Sequence, residues 1–82
     1  MIWDKPMSAD GATATPEQLQ RAWDEWLGWR RTVVRLEQAL EMAGVVGRAK
    51  DWPCERLAAR MLQKARKAGA IRYVNGRWED CL

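Results

Sequence analysis

The chain contains no histidine and no phenylalanine, a single tyrosine, and only two cysteines, Cys54 and Cys81. A zinc centre needs about four nitrogen or sulfur ligands, so two thiols without a histidine exclude the usual metal sites. The same absence removes the commonest general base, and no nucleophile stands in a pattern with a partner to activate it. Two adjacent acid pairs, Asp24-Glu25 and Glu79-Asp80, are the remaining candidates for acid–base chemistry. Neighbouring side chains diverge on a helix or strand, so they read as solvated charge. Composition therefore points away from an enzyme, a metal or a cofactor.

No apolar run reaches 18 residues, which excludes a membrane-spanning helix. The opening MIWDKPMSAD has neither the basic start nor the apolar stretch of a secretory signal. The expectation is a cytoplasmic chain whose two thiols are free, with a Cys54–Cys81 bridge as the alternative. Eighty-two residues with 48% hydrophobic content make one small domain, and six tryptophans carry almost all of its aromatic surface.

Charge is unevenly spread. Residues 1–43 hold five basic and seven acidic side chains, a net of −2, while residues 44–78 hold nine basic and two acidic ones, a net of +7. A half this basic is the electrostatic footprint of a surface for polyanions. A solvated basic face without a partner is the competing reading.

Residues 1–14 lack helical or alternating periodicity and are read as a flexible arm, with Ile2 and Trp3 able to pack back. The domain is expected over residues 15–80. It begins at Thr15-Pro16-Glu17-Gln18, where Thr15 caps, proline takes the first helical position and Gln18 completes a capping box. Apolar residues then recur at Leu19, Ala22, Trp26, Trp29, Val33, Leu36, Leu40 and Ala43, alternating gaps of three and four. Trp23 and Leu27 widen this seam. It predicts either one long helix from Pro16 to Ala43, straight or kinked at Gly28 and about 42 Å long, or two helices broken there. The unbroken phase favours the long helix. Such a helix would expose Leu19, Trp23, Trp26, Trp29 and Val33 to a partner, most simply in a homodimer; the alternative places these side chains in the protein's own core.

Gly44 is expected to close the helix as a left-handed cap, with Val45-Val46 as a short strand and Gly47–Lys50 as a basic connector. Asp51 and Pro53 then start a further helix. Its apolar positions, Leu57, Ala58, Met61, Leu62, Ala65 and Ala68, fall on one side, and Arg56, Arg60, Lys64 and Lys67 on the other, flanked by Gln63. Like charges at i and i+4 repel by a few tenths of a kcal/mol per pair. A helix shaped only for stability would interleave glutamates, so a partner that uses the charge is the better explanation. After Gly69, Asn75-Gly76 between β-formers predicts a type I′ hairpin with Val74 facing Arg77, Tyr73 facing Trp78 and Arg72 facing Glu79. Ile71, Tyr73 and Trp78 share the expected core face, while Arg72, Val74, Arg77 and Glu79 share the exposed one.

A helix reading RMLQKARKAG followed by AIRY, a tight turn and RWE resembles the winged helix-turn-helix domain, over residues 51–79 and more weakly from Val33 to Val46. The resemblance implies a mostly α fold with a small C-terminal β-hairpin. It implies a recognition helix bearing Arg56, Arg60, Gln63, Lys64 and Lys67, and a wing bearing Arg72 and Arg77. One departure is that residues 47–52 leave little room for the helix usually placed before the recognition helix. The expected function is double-stranded DNA binding without catalysis, in a transcriptional regulator. The second expectation is a protein-interaction module, such as a phage- or plasmid-type inhibitor, that turns its basic face to an acidic or nucleic-acid-binding site on a host complex, with the exposed tryptophan seam in support.

Overall fold

The computed structural model describes residues 2–9, 11–29, 31–45 and 55–80. Two strands, β1 (Met7–Ala9) and β2 (Ala12–Ala14), precede three helices, α1 (Pro16–Leu27), α2 (Val33–Met42) and α3 (Glu55–Lys67). A second strand pair, β3 (Ile71–Val74) and β4 (Arg77–Asp80), follows α3. Each pair is an antiparallel hairpin of its own, so the fold is a compact mixture of helices and two small β-ribbons.

The start of α1 is as its sequence dictates. Gln18 donates its backbone N–H to the Thr15 hydroxyl at 3.2 Å, and the Thr15 N–H donates to the Gln18 side-chain carbonyl at 2.9 Å. The same Gln18 amide reaches the Ala43 carbonyl at 3.4 Å, tying the start of α1 to the end of α2.

The long helix does not form. Gly28 ends α1 and Thr32 begins α2, its hydroxyl accepting from the Arg35 N–H at 3.2 Å. The connection is fixed from inside by the Trp26 indole, which donates to the Thr32 carbonyl at 2.9 Å. A continuous helix of about 42 Å would overrun a molecule whose longest extent is 33 Å. Folding back instead lets the two halves of the seam cover one another. Leu19, Ala22 and Trp26 of α1 and Leu36 and Leu40 of α2 are all buried, and Ala43 behind them is nearly so. Burial of each large side chain stabilises the fold by roughly 1.5–3 kcal/mol, far more than Gly28 alone would cost a straight helix.

The N-terminal segment also departs from expectation. Met7 pairs with Ala14, Ser8 with Thr13 and Ala9 with Ala12. Ala9, Ala12 and Ala14 point into the core, while Ser8 and Thr13 face solvent. The hairpin lies against α1 and α3. Trp3 is buried ahead of it, its ring tilted against Trp23 with centroids 5.1 Å apart, and Trp23 in turn lies 5.0 Å from Trp26.

Gly44 adopts φ +91°, and the Val45 N–H bonds back to the Leu40 carbonyl at 3.0 Å, closing α2 as expected. Val45 is buried but lies outside any strand; Val46, the 47–50 connector, the Asp51 and Pro53 helix start and both cysteines lie outside the described residues. In α3, Leu57, Ala58, Met61, Leu62 and Ala65 form the buried face. Ala68 is exposed, because the helix has ended at Lys67 and turns through Gly69 at φ +77°.

Candidate nucleic-acid interface

The residues that sequence assigned to the recognition surface lie on α3 and the β3–β4 hairpin. With five apolar residues directed into the core, the other face of α3 is left to solvent. At about 100° per residue, Arg56, Arg60, Gln63 and Lys67 fall within a stripe roughly 60° wide, diametrically opposite the buried face. All four are exposed, and no acidic residue occupies the stripe. Among the described residues, Arg60 and Lys67 have no ion pair or side-chain hydrogen bond.

Lys64 is placed differently from its neighbours. It is half-buried at the flank of the stripe, its Nζ 6.0 Å above the Trp3 ring and 4.0 Å from the Asp4 carboxylate. Periodicity on α3 alone left Glu55 as the only acid near this face; the N-terminal segment brings a second. Arg66, which the sequence reading left out of the surface, is exposed on the other flank and donates to the Gln63 side-chain carbonyl at 3.1 Å. Its position in the wheel was the available signal, since it lies about 60° from the stripe's edge residue Gln63. Gln63 therefore presents its NH₂ group outward with its carbonyl already engaged.

The hairpin has the expected register: Arg72 opposite Glu79, Tyr73 opposite Trp78 and Val74 opposite Arg77. Asn75 at φ 50° and Gly76 at φ 76° supply the two left-handed residues of a type I′ turn. Arg72 forms an exposed ion pair with Glu79 at 3.8 Å, a contact of little energetic weight. Arg77 projects beside the turn and is exposed. One face assignment changes. Ile71 is buried and Trp78 half-buried against the core, but Tyr73 on the same face remains 58% exposed, because the ribbon extends past the body of the protein.

The proposed partner seam is not a surface. Leu19, Trp23 and Trp26 are buried within the protomer, and Trp29 and Val33 pack half-buried against the same core. The break at Gly28 accounts for this, since each half of the seam has become the other's cover.

A shallow groove of about 580 Å³ between Trp3 and α1 has the opposite electrostatic character. Glu17, Asp24 and Glu25 line it with Arg21 as the one cation. No group of three or more metal-ligating side chains occurs among the described residues. No helix among them is long and apolar enough to cross a membrane. The chain matches no known protein family, curated protein or solved structure.

Proposed function

We infer that this is a small non-enzymatic protein that binds double-stranded DNA through α3 and the β3–β4 hairpin, in the service of transcriptional regulation. The observation that carries the reading is the exposed stripe of Arg56, Arg60 and Lys67, free of acidic residues and backed by a fully apolar face. Phosphate contacts from Arg60, Lys67, Arg72 and Arg77 would supply most of the affinity. Arg56 and Arg60 are the side chains suited to fork contacts with guanine, while Gln63 is suited to pair with adenine, its carbonyl shared with Arg66.

The order of three helices and a terminal hairpin supports docking in the manner of a winged helix-turn-helix, with α3 as the recognition helix. In sequence, residues 47–52 leave little room for the helix that the winged family usually places before the recognition helix. The surface is thus better supported than that particular groove geometry. The alternative reading, a protein-interaction module, drew on an exposed tryptophan seam. Burial of Trp23 and Trp26 removes that argument.

Fluorescence anisotropy with a labelled duplex tests the proposal. Arg60→Glu combined with Lys67→Glu should weaken binding by at least about a hundredfold at low salt, while leaving the far-ultraviolet circular dichroism unchanged. Equal affinity for the variant and the native chain would remove α3 from the interface.

A further inference from the structure

An unused feature of the hairpin is its aromatic pair. Tyr73 is one of three large apolar side chains left exposed among the described residues; the other two, Val34 and Met42, belong to α2. Tyr73 alone stands on the basic α3–hairpin unit. Its ring meets Trp78 edge-to-face with centroids 4.9 Å apart and planes at 67°. Trp78 is anchored against the core, so the pair is held from below while the Tyr73 ring keeps a free surface. The tyrosine hydroxyl reaches to the turn, 3.9 Å from where a β-carbon on Gly76 would stand.

The ring is exposed on the ribbon face opposite the Arg72 and Arg77 side chains, which belong to the same basic hairpin, with Arg66 and Lys67 at the end of the preceding helix. Every nucleobase has a π-face, and a fixed aromatic ring in positive surroundings is the arrangement that stacks an unpaired base while arginines hold the backbone. An acidic protein partner would use the same charge, and an exposed tyrosine serves protein interfaces too, so the contrast between a base and its abasic counterpart identifies the ligand.

We propose that Tyr73, braced by Trp78, is a stacking platform for an unpaired base, so that the preferred ligand is a duplex interrupted by a bulge or ending in a single strand. The inference rests on the reading of α3 and the hairpin as a nucleic-acid surface and names the substrate class of that surface.

Three ligands of one sequence separate the two claims: a blunt duplex, the same duplex with one extra unpaired adenosine, and that bulged duplex with an abasic residue in place of the adenosine. The abasic ligand keeps the phosphate and the bend but has no base to stack. The bulged duplex should bind about tenfold more tightly than the abasic one. In Tyr73→Leu that ratio should fall to about one, and Tyr73→Phe should restore it. Equal binding of bulged and abasic duplexes by the native chain overturns the platform, and blunt-duplex binding in the same experiment then leaves the nucleic-acid reading standing. Failure to bind any of the three overturns both.

Discussion

Two buried tryptophans make opposite use of their polar atoms. The indole N–H of Trp26 donates to the Thr32 carbonyl across the α1–α2 connection, whereas the indole nitrogen of Trp3 is buried with no hydrogen-bond partner. A Trp26→Phe substitution leaves a cavity and removes one of two donors to the Thr32 carbonyl, which keeps the Leu36 N–H at 3.2 Å, and should cost about 2–4 kcal/mol. Trp3→Phe removes an unsatisfied donor along with the lost volume, so its cost should be smaller by about 1 kcal/mol or more. Chemical denaturation of the two variants in parallel would settle the ordering. Glu37 offers a second residue-scale expectation. Its carboxyl pKa is raised above the ordinary 4.5 by burial, and further by the nearby Glu55 and Glu41 carboxylates. A raised carboxyl pKa means the folded state binds the proton more tightly, so stability is lost as pH climbs from 4.5 through the folded value. Glu37→Gln should therefore raise the melting temperature slightly at neutral pH. Below the ordinary glutamate value the difference should vanish, and melting curves at the two pH values would show it.

The helix ends decide the elements, and they were unevenly legible. The Thr15–Gln18 capping box and the Asn75-Gly76 turn are local instructions, and both could be read directly from the chain. The break between α1 and α2 could not. Trp26, Trp29, Val33 and Leu36 keep their three–four spacing across the connection, so the apolar phase passes through the turn without a shift. Thr32 carried the signal, but without a Glu or Gln at position 35 it lacks the capping-box signature. Thr32→Val should cost about 1 kcal/mol by removing the cap to the Arg35 N–H, while the main-chain bond to Trp26 survives. Urea unfolding would measure that loss. The first hairpin was hidden for another reason. Its strands are three residues long and rich in alanine, a weak strand former, although Asp10-Gly11 between them is a two-residue turn signal. At the candidate site, helical periodicity located the exposed basic stripe. It could not show Lys64 drawn beside Asp4 and Trp3, because that contact joins segments sixty residues apart.

At the scale of the whole molecule, one structural change reorganises the account. Folding the seam at Gly28 consumes the tryptophans that an elongated helix would have offered to a second copy, and leaves charge as the main asymmetry of the surface. An acidic groove beside α1 and a basic face on α3 and the hairpin occupy different parts of a body measuring 33 × 25 × 19 Å. Such a body can steer onto a polyanion in one orientation. The basic face is proposed to neutralise phosphates, and the salt dependence of duplex binding is the test. With four or five phosphates engaged, a plot of log affinity against log salt should be linear with a slope of about −4. Arg60→Gln with Lys67→Gln should make it shallower by about two. A flat plot, or no detectable binding at about 50 mM salt, would contradict the account.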